Sequence, residues 1–240
     1  MLFRSRKNLS DKDQIVYLEG NHDFHILRIF EEMRQIGCKN VDEYVQEYQD
    51  SYGDFTYQNN LAPYDMIYRA RPEHLEFISS GPLMVTSPSG LVIVHAGPVR
   101  HPFPEDIREK IDGICREDHF FISAPELYDS YYIQLLCNRY CLDQYSLEDL
   151  AHFLRAFDAK IMISGHTPLP HFQSLEGKLL DGCQLHEGMV ILGGMQVIIA
   201  TSFGAPSEQK RYLELDLSKT YHSPLEWKEG QEIFSLKGSK

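Results

Sequence analysis

The feature that most constrains this chain occurs three times: a short apolar segment runs directly into a turn that holds glycine and a potential metal ligand. The three pairs are residues 15–18 before Gly20-Asn21-His22-Asp23, residues 91–94 before His95-Ala96-Gly97, and residues 161–164 before Gly165-His166-Thr167. Short apolar runs bounded by turn residues are typical of buried strands. In layered α/β proteins ligands collect where strands end, and glycine permits a tight turn there. The pattern therefore predicts three strand ends that supply one site.

Helical segments separate these strands. The predicted helices cover residues 24–36, 41–49, 104–117 and 125–140, and one more that a capping box of Ser146 and Asp149 opens. The remaining predicted strands cover residues 83–87, which form a hairpin with 91–95, and residues 189–192, 196–201 and 211–217. Helices alternate with strands early and strands dominate late. This order favours an α/β layered fold.

The 240 residues, 42% of them hydrophobic, are enough to bury a full core, and one domain is expected over residues 1–220. Residues 38–80 are acidic and rich in tyrosine, so we interpret them as an insertion into that domain. Residues 221–240 read as a polar C-terminal tail. No segment repeats and none is of low complexity.

Composition excludes several classes of protein. The formal net charge of −12 argues against a surface that binds nucleic acid, which is usually basic. No apolar run approaches the roughly 18 residues of a membrane span, and the first residues lack the charged-then-apolar pattern that is typical of a signal peptide. Five cysteines without a CxxC pair favour neither a disulfide framework nor a zinc ribbon. We therefore expect a soluble, cytoplasmic protein that binds neither membranes nor nucleic acid.

In their order GNHD, HAG and GHTP, the three turns resemble those of the calcineurin-like metallophosphoesterases, in particular the phosphoprotein phosphatase branch. Arg139, which lies 27 residues before His166, is placed like a phosphate-binding arginine of that branch. Residues 202–218, SFGAPSEQKRYLELDLS, resemble the loop and closing strand that follow the last histidine there. The resemblance implies a β-sandwich flanked by helices and the activity of a hydrolase, a metal-dependent phosphatase.

The resemblance also implies a role for each matching residue. Asn21, His95 and His166 match three ligands of one of two metal ions, His22 matches the histidine that protonates the leaving group, and Arg139 clamps the phosphate. Imidazole and amide ligands suit manganese, and also iron or zinc. In the family two such ions activate a hydroxide for attack on phosphorus. Asp23 either orients His22 or caps the helix that follows, and the pattern slightly favours the cap.

Two expected motifs are absent. An Asp-x-His turn and a Gly-Asp-x-x-Asp-Arg turn precede GNHD in the family, but only twenty residues precede Asn21 here. Asp11 and Asp13 lack the glycine turn and do not replace the missing carboxylates. We therefore expect an N-terminal strand-helix unit to be missing, one ion or none to bind, and exposed sheet edges to favour oligomers or aggregation.

Three functional hypotheses remain. The first is a phosphomonoester hydrolase that acts on a phosphorylated protein or a small phosphoester. The second is an inactive pseudophosphatase that binds phosphorylated partners through Arg139 and the tyrosine-rich insertion. The third is a dinucleoside polyphosphate hydrolase, which shares the motifs and differs in substrate.

Overall fold

The structure is a computed structural model that describes residues 2–5, 14–18, 20–52, 64–79, 82–100, 131–174, 176–199 and 210–235. Its α-helices are α1 Asn21–Ile36, α2 Val41–Tyr52, α3 Tyr64–Arg69, α4 Pro72–Ser79, α5 Tyr131–Cys137 and α6 Leu147–Ala156. Its strands are β1 Leu2–Ser5, β2 Gln14–Tyr17, β3 Met84–Ser87, β4 Leu91–Val94, β5 Ile161–Ser164, β6 Cys183–His186, β7 Met189–Leu192, β8 Gln196–Ile198, β9 Arg211–Leu213 and β10 Ile233–Ser235. The mixed α/β class predicted from the sequence is confirmed.

The described residues form two compact units, one up to Pro82 and one from Leu83 onward. In the first unit β1 and β2 pair antiparallel, and α1, α2 and α3 share an apolar core. That core consists of Ile26, Ile29, Met33, Tyr44, Val45 and Ile67. Its residues from α1 recur three or four positions apart, so one face of that helix is buried.

The second unit contains a six-stranded mixed sheet in the order β3-β4-β5-β8-β7-β6. The pairs β4-β5 and β5-β8 are parallel, and the other three pairs are antiparallel. Every residue of β4, β5 and β7 is buried. Central strands that are covered on both faces have continuous apolar sequences, and this is why the sequence predicts β4 and β5 so well.

Several helix predictions are confirmed or corrected. The Ser146 hydroxyl accepts from the Asp149 N–H and the Asp149 carboxylate accepts from the Ser146 N–H, so the capping box that opens α6 is confirmed. Helix α1 begins at Asn21, three residues before the predicted start, because Gly20 and not Asp23 is its N-cap residue. Helix α5 ends at Cys137, short of the predicted end at residue 140.

Part of the predicted polar tail is packed. Strand β10 pairs antiparallel with β9, and Tyr221 and Trp227 are buried with their rings in an edge contact. Because their neighbours in the sequence are polar, the burial of these two aromatic side chains is not predicted from the sequence. The predicted helix over 104–117 and the loop over 202–209 lie outside the described residues. Within the described part of the chain no helix is long and apolar enough to cross a membrane.

Candidate metal-binding site

The second unit brings two of the predicted turns together at one edge of its sheet. Strands β4 and β5 are parallel neighbours, with Ile93 opposite Ile163, so both chains leave the sheet at the same edge. His95 follows β4 directly, and its carbonyl oxygen accepts hydrogen bonds from the backbone N–H groups of Gly165 and His166, both at 3.1 Å. The two turns are therefore joined through the backbone before any side chain contributes.

The two imidazole rings face each other across this edge. His95 Nε2 lies 3.0 Å from His166 Nδ1, and the ring centroids are 4.9 Å apart with the planes inclined at 61°. Both side chains are half-buried. The strand-end rule thus correctly predicts that these two histidines meet.

Arg139 completes a cluster of three side chains. Its Nε donates to His166 Nε2 at 3.0 Å. The residue has an extended backbone (φ −127°, ψ 130°) and lies beyond the end of α5, which corrects the prediction that it belongs to a helix end. Its backbone N–H donates to Gln144 Oε1 at 2.8 Å, and the neighbouring Asn138 side chain donates to the Pro98 carbonyl at 2.9 Å. These bonds hold the loop of Arg139 against the turn after His95.

The two hydrogen bonds of His166 define its tautomer. A guanidinium can only donate, so His166 Nε2 is an acceptor and carries no proton. A neutral ring then carries its proton on Nδ1 and donates it to His95 Nε2, which leaves the His95 proton on Nδ1. In this arrangement His95 Nε2 and His166 Nδ1 are the atoms that point at each other.

This pair of nitrogens has the spacing of two ligands on one metal ion. Nitrogens roughly 2.0–2.1 Å from an ion, at angles near 90–109°, are separated by roughly 2.8–3.4 Å, and the observed separation is 3.0 Å. The described residues contain no group of three or more His, Cys, Asp or Glu side chains that could hold a metal ion. Among the described residues of the second unit, the two imidazole nitrogens are therefore the candidate ligands for an ion.

Asn21 and His22 belong to the first unit, in the first turn of α1. The Asn21 side chain is buried and the His22 side chain is exposed. Asp23 Oδ2 accepts from the Gly20 backbone N–H at 2.8 Å, so Asp23 takes part in the capping box of α1 as its third residue, while Gly20 is the N-cap residue. Asn21 as a metal ligand and His22 as a proton donor stay predictions.

Sequence reasoning missed the residues that support Arg139 and His166. Gln144 binds the Arg139 backbone, yet it lies in a turn without any recognisable motif. Ser164 and Gln196 do give a signal, because each is a polar residue at one end of an otherwise apolar strand, and a buried polar side chain needs a partner.

Comparison with known proteins adds one finding. A protein-family model described as calcineurin-like phosphoesterase matches residues 2–170. This range includes both strand ends of the site, Arg139 and the first turn of α1. The search of curated proteins finds no match, and the search of solved structures finds none.

Proposed function

Because this chain belongs to the calcineurin-like phosphoesterase family, whose members are metal-dependent, we propose that it is a phosphomonoester hydrolase of the phosphoprotein phosphatase type. The observation that carries the proposal is the cluster of His95, His166 and Arg139, in which two imidazole nitrogens lie 3.0 Å apart and a guanidinium lies against the second ring. A metal ligand pair beside a phosphate-binding cation is what phosphoryl transfer to water requires.

In this proposal the two imidazoles hold a divalent cation through His95 Nε2 and His166 Nδ1, and Asn21 stays a predicted metal ligand of the first unit. The bound cation supplies Lewis-acid stabilisation of the charge that develops on the phosphoryl oxygens and lowers the pKa of water. Manganese is the proposed ion, because imidazole and amide ligands favour the transition metals over magnesium or calcium.

The other residues act on the substrate. Arg139 offers two parallel N–H donors to the phosphoryl oxygens, where lysine would offer a point charge. To do so its Nε leaves His166, because a ring that donates its Nδ1 lone pair to a cation carries its proton on Nε2 and no longer accepts from arginine. His22, an exposed histidine of the first unit, stays the predicted proton donor to the leaving oxygen.

Hydrolysis of p-nitrophenyl phosphate in the presence of Mn²⁺ tests the proposal. We expect turnover that EDTA abolishes and that His95→Ala reduces more than about 100-fold, beyond the loss typical of a residue outside the ligand shell. His171→Ala is the matched control, because His171 is an exposed histidine of the same unit. Equal activity of His95→Ala and the wild type would contradict the proposal. Binding of inorganic phosphate without turnover would favour the pseudophosphatase instead.

A further inference from the structure

A chain of buried hydrogen bonds lies among the segments that carry the site. The Tyr145 hydroxyl donates to Gln196 Oε1 at 2.8 Å, and Gln196 Nε2 donates to Ser164 Oγ at 2.8 Å. The exposed fractions are 4% for Tyr145, 1% for Gln196 and 2% for Ser164. Burial also raises the pKa of the Tyr145 phenol, so the hydroxyl stays protonated and donates to the amide.

The hydrogen-bonded series of Tyr145, Gln196 and Ser164 lies beside the His95 turn, the His166 turn and the Arg139 loop. Ser164 is the last residue of β5, two positions before His166. The Tyr145 ring lies so close to Gly97, two positions after His95, that a Cβ at Gly97 would be 2.7 Å from the ring atom Cε1. Gln144, the residue before Tyr145, accepts the hydrogen bond of the Arg139 backbone. The hydrogen bonds therefore join Tyr145 to the strand that leads into the His166 turn, while the Tyr145 ring packs against the His95 turn and the neighbouring Gln144 holds the Arg139 loop.

Close packing of the core does not by itself require these buried hydrogen bonds. A buried amide and two buried hydroxyls lose their hydration, and apolar side chains of similar shape avoid that cost. A hydrogen bond, unlike an apolar contact, fixes direction and distance, and a fully satisfied buried network makes the surrounding structure rigid. The described contacts satisfy the Tyr145 donor, both functional ends of Gln196 and the Ser164 oxygen.

We infer that Tyr145, Gln196 and Ser164 are positioning residues that fix the placement of His95, His166 and Arg139 relative to one another. The inference rests on the proposed function for its catalytic meaning. The three side chains do not touch the substrate or the metal ion, and act through the turns to which they belong.

The test is the variant Tyr145→Phe/Gln196→Leu/Ser164→Ala, which removes every polar atom of the chain and keeps side chains of similar size. Because no polar group is left unpaired, we expect it to unfold at the same urea concentration as the wild type or higher. The first readout is ¹⁵N NMR of the imidazoles in metal-free protein. The wild type should show one tautomer for each of His95 and His166, and the variant an average of two.

The second readout is Mn²⁺ affinity, which should fall about 10- to 100-fold in the variant. A stable variant with unchanged imidazole signals would overturn the inference. So would unchanged Mn²⁺ affinity. A wild type that binds no Mn²⁺ would overturn the proposed function, while the NMR comparison would still decide this inference, because it needs no metal.

A second variant covers the case in which the triple variant does not fold. Tyr145→Phe removes one hydroxyl, and its control is Tyr140→Phe, because the Tyr140 hydroxyl donates to the exposed Asp181 carbonyl outside the chain. We expect Tyr145→Phe to alter the His95 and His166 signals and Tyr140→Phe to leave them unchanged. Identical spectra for the two variants would contradict the inference.

Discussion

At the residue scale, Arg139 has two roles, because it donates a hydrogen bond to His166 in the structure and binds phosphate in the proposed function. Arg139→Lys keeps the positive charge but removes both the Nε donor to His166 and the parallel donors for phosphate. We expect the KM for p-nitrophenyl phosphate to rise at least about 10-fold, since one well-placed charge-assisted hydrogen bond contributes about 1.5–3 kcal/mol. Steady-state kinetics provide the measurement.

Arg155→Lys is the matched control for Arg139→Lys, because Arg155 is an exposed arginine in the last turn of α6. Its kinetics should equal those of the wild type. If Arg139→Lys also equals the wild type, Arg139 has a purely structural role.

His25, on the half-buried side of α1, should make stability depend on pH. Burial, helped by the charges of Arg28 and His22, lowers its pKa from 6.5 to about 4. Between these values the unfolded chain binds the extra proton, so stability is complete above pH 6.5 and falls as the pH approaches 4. Between pH 7 and pH 4, the free energy of unfolding of His25→Gln should therefore fall by about 1–2 kcal/mol less than that of the wild type, because the partly exposed side chain is screened by solvent.

Urea unfolding at several pH values measures this difference, with His74→Gln, an exposed histidine of the same unit, as the control. An equal acid dependence of wild type and His25→Gln would contradict the expected role of His25.

Residue identity alone allowed part of the site to be predicted. The pairing of His95 with His166 follows from adjacent parallel strands, and the position of Arg139 beside them agrees with its spacing. The support from Gln144 could not be predicted, because it depends on the path of a turn. The hydrogen-bond partner of Gln196 could not be predicted either, because the Tyr145 hydroxyl comes from a segment 51 residues away in sequence.

At the scale of elements, the strand-end turns owe their glycines to different causes. The sequence pattern predicts tight turning as the cause for all of them, yet at Gly97 close packing is the reason. A Cβ there would lie 2.7 Å from Tyr145 Cε1 and 2.8 Å from the Asn138 carbonyl oxygen. Glycine at this position lets the His95 turn approach the Arg139 loop.

Gly97→Ala should therefore destabilise the protein by about 1–3 kcal/mol through overpacking and reduce phosphatase activity by displacing Tyr145 and Asn138. Gly194→Ala is the control, because φ is +68° there and nothing lies within 4 Å of the added Cβ. It should cost about 1 kcal/mol of backbone strain and leave activity intact. Urea unfolding and the p-nitrophenyl phosphate assay measure both effects, and full activity of Gly97→Ala would contradict the account.

The burial of each strand decides whether the sequence predicts it. Strands β4, β5 and β7 are buried throughout and have continuous apolar sequences. Strand β6, with the sequence CQLH, lies at the edge of the sheet, and its Gln184 and Leu185 are exposed. An edge strand with exposed side chains lacks a regular apolar pattern, and β6 was therefore not predicted.

At the scale of the whole molecule, the family match spans residues 2–170 and so covers the first compact unit and part of the second. The second unit supplies two imidazoles and a guanidinium, and the first unit contains Asn21 and His22. The central claim is that His95 and His166 bind the same metal ion. A shared ion makes the two histidines depend on each other, so their substitutions cannot act independently.

Calorimetric titration with Mn²⁺ tests this claim most directly, on the wild type, His95→Ala, His166→Ala, the double variant and the control His171→Ala. We predict stoichiometric binding to the wild type and to His171→Ala. Each single variant should lose affinity at least about 100-fold, and the double variant should lose no more than the worse single variant. Wild-type affinity in either single variant, or losses that add independently in the double variant, would contradict the claim that the two histidines hold one ion.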